Sequence, residues 1–292
     1  MSWRIVIISN HCKLDFKMDY LVVRSIESTK RIHLSEIAVL IIENTAVSLT
    51  SYLLCELISR KIKVIFCDHQ RNPISELLPC IGKHNSTECI RQQIKWSPEV
   101  KARLWLSIVA EKIRQQSRVL RFMGLEEKAR QLDHYIKQVE LNDATNREGH
   151  AAKVYFNSLF GMNFSRSQPS AINAALNYGY AIVLSALNRE IVAAGLLTQL
   201  GIFHDNGANP FNLACDLIEP LRPLVDNAVI KMKPEKLETG EKLELINLLN
   251  KEVIFQGQKQ HLLYALRLYS NNFFRCLETC DSEKMSFIQY EL

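Results

Sequence analysis

Between Leu200 and Asp226 the chain reads LGIFHDNGANPFNLACDLIEPLRPLVD, which sets His204, Asp205, Asp216, Glu219 and Asp226 among three prolines. Carboxylate oxygens suit hard divalent cations, and manganese also accepts imidazole. One histidine and two acids are therefore a possible Mg2+ or Mn2+ set. His204 lies in the polar loop HDNGANP, on no apolar face. Counting from Asn209, the polar positions Asn212, Asp216, Glu219 and Asp226 recur at steps of four, three and seven. They share one helical face, opposite Phe211, Ala214, Leu217, Ile218, Leu221, Leu224 and Val225. By itself that pattern describes a surface helix. Pro220 and Pro223, however, cannot donate to the carbonyls of Asp216 and Glu219, so the helix is predicted to kink or restart there.

A further ligand has to come from elsewhere, and Glu148 is a candidate. It ends the run Thr145-Asn146-Arg147-Glu148, which also fits a capping box, so cap and ligand both stay open. Arg222 follows Glu219 by one turn and could meet a phosphate or pair with Glu219 or Asp226.

The elements that must position these residues fall into two halves. Over residues 1–80, WRIVIIS, KLDFKMDYLVV, KRIHL, EIAVLIIE, KVIFCD and PISELLP read as strands, with one helix in SLTSYLLCELISRK. PCIGKHNSTE has turn residues and no period, which makes residues 81–90 the expected linker. Residues 91–280 read as helices. One starts at Ser97-Pro98 and stops at Gly124, a second is LEEKARQLDHYIKQVEL, and a third opens at Thr145. Others run from about Gln168 to Gly195, from Asn209-Pro210, and through GEKLELINLLNK and QKQHLLYALRLYSNNFFRCLE. Residues 281–292 are expected to be a tail that docks only on a partner. The fold class is α+β, a β-rich N-terminal domain followed by an all-α C-terminal domain.

Composition narrows the function. The chain has 292 residues, 47% hydrophobic and 23% charged, as in ordinary soluble proteins. No apolar run is long enough to span a bilayer and MSWRIVIISN is no secretory signal, so a cytoplasmic location and no membrane partner are expected. The eight cysteines read mostly as small buried hydrophobes, and Cys276 and Cys280 have no second pair to complete a zinc site. Net charge is +5, concentrated in residues 86–166, where 14 basic residues face 9 acidic ones. Arg91, Lys95, Lys101, Arg103, Lys112, Arg114, Arg118 and Arg121 lie along one stretch, either a phosphate-binding surface or a solvated helix face. No G-x-x-x-x-G-K-[ST] loop is present.

Taken in order, NAALNYGYA, GLLTQLGIFH and FNLACDLIEPLRPLVD, with REGHAAKVYF upstream, resemble the signature of the CRISPR-associated integrase family. The resemblance covers both halves of the chain and looks most like members from type II systems. It implies the catalytic subunit of spacer acquisition, a metal-dependent DNA integrase and endonuclease. In that reaction a 3′-hydroxyl on a short incoming duplex attacks a phosphodiester at the edge of a CRISPR repeat. Carried over, the Mg2+ or Mn2+ ligands are Glu148, His204 and Glu219. The family commonly has aspartate at the third position, and Asp216 is an alternative or supporting acid. Arg147, Lys153, Arg166, Asn173, Asn177 and Tyr178 are DNA-contact candidates, although Asn173 and Asn177, one turn apart, are equally eligible as helix-packing hydrogen bonders. His11, in an expected hairpin turn, is a candidate for the end of the incoming duplex. The implied partners are DNA, a second copy across the β-rich domain, and a dimer of the second adaptation subunit in a heterohexamer. The alternative is a non-catalytic DNA-binding scaffold of the same assembly.

Overall fold

Residues 4–69, 71–77, 79 and 84–292 are described by a computed structural model. The chain divides into two compact units, residues 1–82 and 83–292. Cys80 and residues 81–83 of the expected linker lie outside the described residues.

In the first unit the β-branched runs become strands: β1 (Arg4–Ile8), β2 (Lys13–Lys17), β3 (Tyr20–Arg24), β4 (Thr29–His33), β5 (Ile37–Ile42) and β6 (Ser48–Leu49). After helix α1 (Ser51–Ser59) come β7 (Lys63–Cys67) and β8 (Pro73–Leu77). They form two four-stranded sheets, in orders β1-β5-β7-β8 and β4-β3-β2-β6. IAVLII of β5 is buried at every position, between parallel neighbours β1 and β7. That explains an apolar run without alternation. Leu14, Leu21, Leu34, Leu40, Leu53, Leu57 and Val64 fill the core with it.

Two sequence expectations change here. KLDFKMDYLVV is not one strand but an antiparallel pair, reversed at Met18 and Asp19, both in the left-handed region. His11 is exposed, but it is in no hairpin turn. β1 pairs with β5 and β2 with β3, so residues 9–12 cross between sheets.

The second unit opens with α2 (Ser86–Ile94), so part of the expected linker is helix. Next come α3 (Pro98–Phe122), α4 (Glu126–Ile136), α5 (Arg147–Phe160), α6 (Ala171–Ala193), α7 (Asn212–Ile218), α8 (Arg222–Met232) and α9 (Thr239–Asn247). The strands β9 (Glu252–Phe255) and β10 (Gln258–His261) precede α10 (Leu262–Thr279). α3 is the hub. Leu104, Trp105, Ile108, Val109, Ile113, Val119 and Leu120 are fully buried along it, and it packs on α4, α5, α7 and α8. Gly124, at φ +76°, ends its last turn as expected. Pro98 sits in the first turn of α3, where a missing N–H costs nothing.

Two corrections apply to this unit. It is not purely helical, because VIFQGQKQH forms the β9–β10 hairpin, turning at Gln256 and Gly257, both at positive φ. Nor does residue 281–292 wait for a partner. Gln289 forms a backbone bridge with Ile254, Tyr290 is buried, and Arg118 donates to the Tyr290 carbonyl at 2.9 Å. Of the described cysteines, Cys12, Cys67 and Cys276 are buried as expected, whereas Cys55 and Cys280 are exposed. No helix among the described residues is long and apolar enough to cross a membrane.

Candidate active site

The predicted break in the helix is present. α7 ends at Ile218, Glu219–Leu221 is a tighter 3-10 turn, and α8 restarts with Pro223 in its first turn. Glu219 begins that tight turn. The polar face, however, is not on the surface: Asn212, Asp216, Glu219 and Asp226 are each 3% exposed or less. Both faces of the segment are covered, and each buried polar group must therefore find partners inside.

Asp216 finds four. One oxygen accepts from the backbone N–H groups of Ile202 at 2.6 Å and Phe203 at 3.3 Å. The other accepts from the His204 backbone N–H at 3.0 Å and pairs with His204 Nδ1 at 2.8 Å. Asp216 is thus no ligand candidate in this arrangement but the post that folds the loop and fixes the ring. Its bond to Nδ1 leaves Nε2 as the free ring nitrogen, the usual carboxylate–histidine arrangement behind a metal. That bond also raises the His204 pKa above its usual value, against burial and with help from Asp216, Glu219 and Glu148 charges. Gly201 belongs to the same construction. A Cβ there would lie 2.4 Å from the His204 carbonyl and 2.6 Å from the Asp216 carboxylate. Asn212 holds the loop at Gln199 and Asn206, and buried Gln93 of α2 holds it at Leu197 and Leu200. Trp105 stacks on Phe203 at 4.2 Å and meets His204 edge-on at 5.5 Å.

Glu148 arrives from the first turn of α5. It is not the cap. The N–H groups of Arg147 and Glu148 are taken by Asp143 at 2.7 and 3.0 Å, and the Thr145 hydroxyl turns to the Gln138 carbonyl. The Glu148 side chain instead meets the Lys112 ammonium, which also bonds Glu219. Arg222 Nε donates to the other Glu219 oxygen at 2.8 Å. Burial works to raise the Glu219 carboxyl, but Arg222 and Lys112 outweigh it and hold it at about 2. Burial likewise opposes the charge on Lys112, and Glu219 and Glu148 overcome it and leave that pKa raised.

Two carboxylates, from α5 and from the α7–α8 break, are therefore drawn onto one cationic position, with the His204 ring close enough to feel both charges. Among the described residues no three His, Cys, Asp or Glu side chains converge tightly enough to share an ion. In the cluster as it stands, Lys112 provides the positive charge. The donor chemistry still suits a divalent cation, because two carboxylates are paired across one cation and an oriented imidazole lies beside them.

Lys112 and Gln93 are site residues that the sequence motifs do not single out. Lys112 had a visible signal: it follows Ile108 by four and Val109 by three, in phase with the buried stripe of α3.

The remaining candidates separate. Lys153 is exposed on α5. Arg147 lies over Tyr135, 5.7 Å from the ring centre. Arg166 donates to the side-chain oxygens of Asn173 and Asn177 and lies over the rings of Phe156 and Tyr180. Asn173, buried, also donates to the Ser165 and Gln168 carbonyls, so it clamps the turn before α6 instead of facing a ligand. Tyr178 is buried with Lys242 against its ring, which removes it from a DNA-facing surface. Of the basic stretch, Arg103 pairs with Glu99, Arg114 with Glu111 and Arg121 with Asp133, so much of its charge is matched locally.

Beyond Arg222 lies a buried carboxyl with a separate consequence. Tyr180 donates to Asp226, and the Tyr155 hydroxyl lies beside it without reaching hydrogen-bond geometry. Burial raises the Asp226 pKa from 3.8 to about 6, despite the tyrosines and Arg222. A raised folded-state pKa stabilises fully below the unfolded value, and that contribution is lost as pH rises through about 6. Asp226→Asn removes this titration. Its stability relative to the parent should rise by about 2–3 kcal/mol between pH 4 and pH 8, measured by urea unfolding.

Comparison with known proteins places this architecture. The model of the family "CRISPR associated protein Cas1" matches residues 5–244. A CRISPR-associated endonuclease Cas1 from Neisseria meningitidis serogroup C is 36% identical over 271 residues, covering 91% of this chain and 89% of that protein. The chain belongs to the Cas1 family. That relative is named an endonuclease. The fold is shared more widely. A casposase bound to integration product superposes with TM-score 0.78 at 20% identity, over 99% of this chain and 95% of that one. A chain of a Cas6-RT-Cas1–Cas2 complex gives 0.77 at 17% identity, over 97% of this Cas1-family chain and 36% of that one.

Proposed function

We propose that this chain is the metal-dependent integrase and endonuclease that inserts short DNA duplexes as new spacers into a CRISPR array. The observation that carries the reading is the convergence of Glu148 and Glu219 on one cationic position, beside a His204 ring oriented by buried Asp216. In this reading Glu148, His204 and Glu219 hold Mg2+ or Mn2+, which supplies Lewis acidity at the scissile phosphate. Asp216 keeps the His204 Nδ1 occupied and its Nε2 free to ligate. Arg222 fixes the Glu219 carboxylate. The 3′-hydroxyl of the incoming strand gives up its proton and its oxygen bonds to the phosphorus at the repeat's 5′ edge, while the bond from that phosphorus to the 3′-oxygen of the flanking nucleotide breaks and that oxygen takes up a proton. One phosphodiester replaces another, so no nucleotide is consumed.

Exposed Lys153 and the region of Arg147 and Arg166 are the DNA-contact candidates left by the geometry. Similarity to a casposase bound to integration product and to a Cas1–Cas2 complex supports DNA and a second adaptation subunit as partners. We place the chain in the cytoplasm as a homodimer, two of which bridge a dimer of that subunit.

Strand transfer from a 3′-hydroxyl duplex into a nicked, branched repeat DNA tests the proposal. Product is expected with Mn2+ and absent with EDTA. Intact DNA binding with no product under any divalent cation would leave the non-catalytic scaffold instead.

A further inference from the structure

Lys112 belongs to no part of the mechanism above, yet it holds the position around which the mechanism is built. Its side chain is 8% exposed, on the buried stripe of α3, and its ammonium bonds both Glu148 and Glu219. A lysine is rarely placed in such a stripe without partners, because burying its charge is costly. Here the partners are the two acids assigned to the metal. Resting on that assignment, we infer that Lys112 is an internal counter-ion that competes with the divalent metal for Glu148 and Glu219.

The charges support an exchange more than co-occupancy. Glu148 and Glu219 carry two negative charges, and Lys112 and Arg222 balance them. Adding a divalent ion while Lys112 stays would set four positive charges against the three carboxylates of Glu148, Glu219 and Asp216 in a largely buried cluster. Arg222 is the fixed partner, bonded to the far oxygen of Glu219 and seated 4.7 Å over the Tyr180 ring. Lys112 is the partner that can leave, since its four-carbon stem can swing its charge aside without moving α3. Without metal it keeps the two carboxylates from repelling each other. With metal it gives up both contacts. Lys112 is in this sense a positioning residue, not a ligand.

A purely structural lysine and a competing one predict opposite results. The test is Mn2+ titration of the full chain without DNA, read by the electron paramagnetic resonance signal of free Mn2+. Lys112→Met should bind Mn2+ more tightly than the parent, by roughly tenfold, because no part of the binding energy goes to displacing the ammonium. Its metal-free melting temperature should fall, and saturating Mn2+ should raise it by more than in the parent. Lys112→Arg, which keeps the charge, should restore parental affinity. If Lys112→Met is too unstable to measure, Lys112→Gln replaces it with the same expectation. Parental binding with unchanged or weaker binding in the variants would overturn the competition alone. No Mn2+ binding by the parent or by either neutral variant would overturn the metal assignment and the competition with it.

Discussion

Glu219→Gln is expected to lower strand transfer on the order of 10^3-fold, about 4 kcal/mol in the barrier. The amide keeps the shape and loses the charge. In the proposed site it removes a ligand. In the structure it also strips Arg222 and Lys112 of the carboxylate between them. Breaking a buried pair in this way costs about 3–5 kcal/mol of stability, so the two effects must be separated. Activity should therefore be assayed below the melting point of the variant, with folding followed by circular dichroism. Glu219→Asp, which keeps the carboxylate on a shorter stem, should recover much of the activity. A folded Glu219→Gln protein with parental transfer rates would remove Glu219 from the chemistry.

Asp216→Ala should be the most damaging change at a residue that touches no substrate. It leaves the N–H groups of Ile202, Phe203 and His204 without their acceptor, and the His204 ring without its orienting partner. Each buried unsatisfied group costs about 1–3 kcal/mol, so a loss of roughly 4 kcal/mol is expected after local relaxation. The loop is where that loss should concentrate, and hydrogen exchange at residues 201–205 should rise before that of α3. If His204 ligates a metal as proposed, activity should drop about 10–100-fold even when the unit stays folded, the usual cost of losing the partner that orients such a histidine. Gly201→Ala should reproduce both effects in part, because its Cβ would push the same carboxylate and the His204 carbonyl apart. Unchanged exchange in the loop of Asp216→Ala would refute the account of Asp216 as its post.

Much of this site is legible in the amino-acid sequence, and the failures have physical reasons. The helix break at Glu219 follows from two prolines that cannot donate, and it is present. The polar face from Asn212 to Asp226 misleads because amphipathic reasoning assumes one face meets water. Here both faces are covered, and the polar one finds its partners in loop N–H and carbonyl groups, a tyrosine and two cations, with one Asp226 oxygen left over. Local pattern also cannot weigh Asp143 against Thr145 as the cap of α5, because only the fold shows which oxygen reaches those N–H groups. Lys112 hides within a basic stretch, because such a run of charge reads as solvated. The β9–β10 hairpin is hidden because its second strand runs directly into α10, so one helical period dominates that stretch. The β-rich front unit was easier, since its strands are short, β-branched and separated by turn residues.

The docking of residues 288–290 sets an order on how the helical unit is made. Arg118, near the end of α3, holds the Tyr290 carbonyl 172 positions further along, and Ile254 pairs with Gln289. During synthesis α3 leaves the ribosome long before residue 290 exists. The nascent helices can collapse on one another, but this part of the core cannot close until that segment has been translated. Buried Tyr290 lies close enough to Asp226 to feel its charge, so a segment that arrives late packs close to the buried carboxyl behind Arg222. A partly synthesised chain therefore carries the site's residues without the packing that seats them, and contacts of such wide sequence separation also make closure slow.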